Sequence, residues 1–165
     1  MEVDHQTHLD LNYLYTVNAD RARQYANAHE EVGAAALQEY FSYQQRLSAS
    51  FQQELEALIR TTNGTLEEGT TVSGSLYNLW IDLRAALSGG KPLPLIRAVQ
   101  CAERANVARY EELLADSGHL PEEIRAVLER QLWQYRNALR TLDDLEKEHD
   151  TDHSINQLNN HADRT

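Results

Sequence analysis

The sequence predicts an all-α protein built from four long helices, paired as two antiparallel hairpins and joined by a long connection that holds one shorter helix. Three observations carry this. Apolar residues recur close to a 3.6-residue period through four long segments. The 165 residues include only seven glycines and three prolines, and these fall at segment boundaries, as expected of few, long elements. No period-two apolar run bounded by turn residues occurs, so no β-strand is predicted.

The first helix is predicted over about Leu9 to Val32, with Leu11, Leu14, Ala22, Tyr25, Ala28 and Val32 on its apolar side. The second runs from about Ala35 to Thr62 and places Leu37, Phe41, Gln44, Ser48, Phe51, Leu55 and Leu58 on one stripe. A shorter helix, about Gly74 to Leu87, follows with Ser73 as its N-cap and carries Leu76, Leu79, Trp80, Leu83 and Leu87. The third long helix is predicted from Pro92 to about Asp116 through Leu95, Val99, Ala102, Asn106, Tyr110 and Leu113. The fourth is predicted from Pro121 to about Lys147 through Ile124, Leu128, Gln131, Tyr135, Leu139 and Leu142. Gly33, Asn63-Gly64, Gly89-Gly90 and Gly118 stand where helices end and a left-handed residue is wanted, while Pro92, Pro94 and Pro121 stand where they begin.

Link lengths give the topology. One or two residues around Gly33 join helices one and two, and a few around Gly118 join helices three and four. Such short links between long helices make antiparallel hairpins. The stretch from Gly64 to Lys91 is long enough to return along the whole of helix two, which spans roughly 42 Å at 1.5 Å per residue. Two hairpins joined by one long crossover is the ferritin-like arrangement. The domain organisation expected is a flexible N-terminus over 1–8, one bundle domain over 9–147, and a disordered acidic tail over 148–165. From Asp143 onward there are seven acids and two bases, so this end holds −5 of the net charge of −11.

The acidic balance, 26 Asp+Glu against 15 Lys+Arg, argues against nucleic acid and against an anionic membrane surface as partners. No apolar run approaches the ~20 residues a bilayer needs. The single cysteine, Cys101, excludes an intramolecular disulfide framework and fits a reducing compartment, so a cytoplasmic location is expected.

The segments Leu11-Asn12, Phe51-x-x-Glu54-Leu55, Gly74-Ser75-Leu76 through Trp80-Ile81-Asp82-Leu83 to Leu87-Ser88-Gly89, and Leu120-Pro121 through Leu128-x-Arg130-Gln131 carry a resemblance. From about residue 9 to 145 the chain resembles a bacterial family of ferritin-like four-helix-bundle proteins of unknown function, often found among stress-associated genes. The segment within the crossover is the most specific part. The resemblance implies a ferritin-like bundle, a homodimer, and no established reaction.

A dinuclear carboxylate centre in such a bundle needs a Glu from each of two helices and Glu-x-x-His from each of the other two. The sequence meets little of this. Glu54 lies at the edge of the helix-two stripe, but Ala57 stands where a His is required. Glu103 lies near the inward face of helix three, but Asn106 stands three residues on. The inward positions read for helices one and four hold neither Glu nor His. The resemblance implies further losses, since members of the family carry an acid where this chain has Leu47 and Gln100 and a His where it has Leu139. Glu103 and Glu54 are therefore the only metal-ligand candidates in the bundle. Neither is assigned a metal, and no cofactor is expected.

Glu103 is expected either to bond neutral partners from among Tyr25, Gln44, Gln100, Asn106, Tyr110 and Tyr135 or to lie at a solvated edge, so Glu103→Gln should alter thermal stability little. The literal Glu146-x-x-His149 and the pairs His149/His153 and His5/His8 are read as solvated terminal residues. Cys101 has Arg97 and Arg104 within helical reach but is read as a passive thiol. Serine-nucleophile motifs, phosphate-binding loops and zinc-type cysteine clusters are absent. The function expected is a non-catalytic, stress-associated or scaffolding bundle with a degenerate metal site. The alternative is a di-iron-type oxidoreductase or iron-handling protein using Glu103. A third reading, an apolar-ligand pocket near Trp80, ranks last.

Overall fold

A computed structural model describes residues 3–67 and 91–162, with side chains up to residue 152. The described chain is all-helical: α1 spans His5–Glu31, α2 Ala35–Thr61, α3 Pro92–Ala115 and α4 Glu122–Ala162, with no strand among the described residues. The shorter helix expected near Gly74 to Leu87, and the ligand pocket expected near Trp80, lie outside the described residues.

The helix ends follow local chemistry. Asp4 caps α1 by accepting from the Thr7 backbone N–H at 2.8 Å and from its hydroxyl at 2.7 Å, so the helix begins four residues before the apolar period does. The same backbone bond is the main reason that the Asp4 carboxyl is held below its ordinary value. Pro92 opens α3, where a missing N–H costs nothing.

At the end of α2, Gly64 N–H donates to Ile59 O and Asn63 N–H to Arg60 O, the paired closure of a Schellman turn. Its left-handed residue is Asn63, at φ 59°. The glycines expected in that role at 33, 64 and 118 do not adopt it, and α1 leaves through an extended Val32. The largest correction concerns α4. It continues to Ala162, where the apolar period had placed its end near Lys147. Arg97 on α3 pairs with Glu146 and Asp150 along this continuation.

The helices pack in a closed ring, α1 on α2, α2 on α4, α4 on α3 and α3 on α1. Asn18 meets Tyr110, and Arg21 meets Glu103, so α1 and α3 run in opposite directions. Glu54 meets Gln131, and Tyr40 meets the Ala138 carbonyl, so α2 and α4 do as well. With each hairpin antiparallel, α2 and α3 share one direction. The described chain leaves α2 at the end where His8 meets Thr62 and enters α3 at the opposite end, where Leu95 packs with Tyr25 and Leu37.

Inward positions on α1 step by four and three: Thr7, Leu11, Leu14, Asn18, Arg21, Tyr25, Ala28, Val32, all buried. That is the seam of a left-handed bundle. The apolar core it forms is not continuous. One cluster joins Leu11, Leu14, Phe51, Leu55, Ile59, Ile124 and Leu128. The other joins Ala28, Leu37, Phe41, Leu95, Ile96 and Leu142. Between them lies a polar layer.

Candidate functional site: a buried ion-paired layer

Arg21 is the centre of this layer. It is fully buried, and Glu103 is 1% exposed. The Arg21 Nε donates to both Glu103 oxygens, at 3.1 and 3.0 Å, and Nη2 makes a further short bond to Oε1. Nη1 donates to Ser48 Oγ at 2.8 Å, and Nη2 to Gln44 Oε1 at 2.9 Å. Ser48 in turn donates to the Gln44 carbonyl. The guanidinium plane sits over two phenol rings, with Cζ 4.2 Å from the Tyr135 centroid and 4.9 Å from that of Tyr25. Each such contact is worth up to about 2 kcal/mol when desolvated. Burial opposes the Arg21 charge, yet Glu103 beside it holds the guanidinium ionised and above its ordinary value.

A second set of bonds runs from this centre to the surface. Tyr135 Oη donates to Asn18 Oδ1 at 2.9 Å, Asn18 Nδ2 to Tyr110 Oη at 2.8 Å, and Tyr110 Oη to Gln131 Oε1 at 2.7 Å. Gln131 Nε2 then donates to Glu54 Oε2 at 2.8 Å. Glu54, 33% exposed, also accepts from Arg130. Burial pushes the phenols of Tyr25, Tyr40, Tyr110 and Tyr135 upward, so all four stay protonated at neutral pH. Two buried atoms, Tyr25 Oη and Asn106 Nδ2, have no hydrogen-bond partner among the described residues.

The two candidate carboxylates thus take different places. Glu103 is at the centre and Glu54 at the rim, and they share no partner. Glu103 is not held by the neutral groups expected of it but by Arg21. The sequence reading placed Ala22 inward and passed over Arg21; the four-three spacing from Leu14 through Asn18 to Tyr25 was the available signal. Gln100 is buried, but its amide donates to Asp143. Leu47 and Leu139 pack against the first apolar cluster.

His8, read as a solvated residue, closes the α2 end by bonding Thr62 O and Oγ1 at 3.1 Å each. Glu146 is engaged by Arg97, and the His153 side chain lies outside the described residues. Cys101 is exposed.

A dinuclear centre does not fit this layer. Hard divalent ions want several carboxylate oxygens, and the layer offers one carboxylate, already bonded by a fixed cation that would repel a second. Among the described residues no group of three or more His, Cys, Asp or Glu is placed to hold a metal ion. What the arrangement does chemically is cross-link: Arg21 and Glu103 tie α1 to α3, Ser48 and Gln44 bring in α2, and Tyr135 brings in α4.

The described residues therefore form four helices around a buried, internally neutralised ion pair. The chain belongs to the family defined by a domain of unknown function (DUF2383), whose model matches residues 6–116, from the first turn of α1 to the end of α3. No curated protein sequence matches the chain. Among the described residues no helix is long and apolar enough to cross a membrane.

Proposed function

We propose that this protein is a non-catalytic ferritin-like bundle with a stress-associated scaffolding role, in which an arginine–glutamate pair stands at the level where a dinuclear centre would sit. The shared direction of α2 and α3 supports the ferritin-like order, with the chain between 62 and 91 as the crossover. The observation that carries the reading is the saturation of Glu103 by Arg21. A carboxylate with a guanidinium bonded to both oxygens is neither a free ligand nor a free base. Every Arg21 nitrogen is itself engaged, so the pair offers no open position at which a substrate atom could react.

The test is elemental analysis of the purified, untagged protein, repeated after anaerobic incubation with Fe(II). The expected result is no stoichiometric metal, and none gained in Arg21→Gln. Two metal ions per chain in the wild type would overturn the proposal in favour of an iron-handling or oxidoreductase function. The stress association is supported only by the family resemblance and is tested by following expression of the native gene under oxidative and osmotic challenge.

A further inference from the structure

The outer surface of the second hairpin carries a feature that the bundle itself does not use. Trp133, on α4, is 57% exposed, the most open of the large apolar side chains described. Beside it runs an open groove of about 630 Å³ between α3 and α4. Leu114, Ala115, Leu132 and Trp133 itself supply its apolar lining, with Glu111, Glu129 and Arg136 alongside them. The indole therefore protrudes at the wall of an open groove on the same face.

The charges on this face are arranged with respect to Trp133. Glu129, Trp133, Arg136 and Arg140 follow one another at spacings of four, three and four along one side of α4. Acid lies on the N-terminal side of the tryptophan and base on the C-terminal side. Arg136 is paired within its own chain to Glu111. Among the described residues neither Glu129 nor Arg140 has an ion-pair partner. Laid antiparallel on a copy of itself about a two-fold axis beside Trp133, at the same level along α4, the face brings Glu129 of each subunit between Arg136 and Arg140 of the other. Arg140 then stands opposite the small side chain of Ala126. A two-fold contact requires such self-complementarity, since every residue must meet its counterpart's match.

We infer that this face is the homodimer interface of the protein. Trp133 of each subunit seats in the α3–α4 groove of the other, and Glu129 pairs with Arg140 of the other subunit. A central, fully desolvated tryptophan ringed by charged residues is the composition of an interface anchor. The inference is independent of the Arg21 layer: metal content tests that layer, and the state of association tests this face.

The experiment is sedimentation equilibrium of the full chain from about 1 to about 100 μM, the range over which a dimer of micromolar Kd titrates. The wild type is expected to dimerise. Trp133→Ala, at an exposed position that leaves the fold intact by circular dichroism, should weaken the dimer at least about tenfold. Glu129→Arg and Arg140→Glu should each weaken it as well, and the two together should restore part of the association, since Arg136 remains beside position 129. A wild type that is monomeric throughout overturns the proposal. So does a dimer indifferent to Trp133→Ala, which would place the contact elsewhere, or a charge exchange that restores none of the association.

Discussion

The buried pair makes a sharp prediction for single side chains. Breaking a buried ion pair from one side leaves an uncompensated charge and costs about 3–5 kcal/mol, whereas replacing both partners by apolar groups is often neutral. Arg21→Met and Glu103→Gln should therefore each lower urea-unfolding stability by several kcal/mol. Arg21→Met with Glu103→Leu should lie within about 2 kcal/mol of the wild type. Two near-neutral single variants would show that the pair does not hold the layer together. This reverses the sequence expectation that Glu103→Gln is mild, and the reason is physical. The charge state of a buried carboxylate is set by the helix opposite, and α1 lies 82 positions away in sequence. Glu103 was legible as an inward acid because it sits beside Ala102 and Asn106 on an apolar stripe. Arg21 was not, because an arginine at a seam position looks the same in sequence as one snorkelling to water.

At the level of elements, boundaries were readable where a residue forces them and unreadable where none does. Pro92 and the Asn63-Gly64 pair are such residues, and α2 and α3 lie where they were expected. Beyond Pro121 the chain has no glycine or proline at all, so nothing stops α4, and loss of apolar period was a poor guide to its end. The start of α1 depends on one carboxylate, Asp4, whose capping role the apolar pattern does not reveal. The α2 terminus yields its own prediction. A Cβ built on Gly64 would lie 2.5 Å from the His8 ring and 3.1 Å from Ile59 O. Gly64→Ala should therefore displace His8 from Thr62, with a loss of about 1 kcal/mol from that hydrogen bond. His8→Ala in the same background should add little further, since the two changes remove one contact. Thermal melts of the two single variants and the double variant check this non-additivity.

For the whole molecule, the buried phenols couple stability to alkaline pH. Tyr25, Tyr40, Tyr110 and Tyr135 resist ionisation when folded, burial being the main cause for each, and regain the ordinary value near 10 when unfolded. Above that pH the folded state binds more protons than the unfolded one. Stability is therefore intact below about pH 10 and falls as the pH rises, by up to about 1.4 kcal/mol per unit for each phenol. Tyr25→Phe removes a hydroxyl with no partner among the described residues. It should leave stability at pH 7 nearly unchanged and make the alkaline decline measurably shallower in urea titrations from pH 8 to 11. The four long helices of the described residues were legible from period and punctuation; the interruption of the core was not, since it arises only when four separate seams meet. That interruption also bears on how the helices find their alignment. A bundle held by leucine alone can slip by one heptad, roughly 10 Å along the axis, and still bury an apolar seam. Here such a slip of α1 would drive Arg21 in among aliphatic side chains and leave Glu103 facing them too, a misalignment dearer than any leucine contact it could recover. The polar layer acts as a notch that selects one register among several that the apolar seams alone would tolerate.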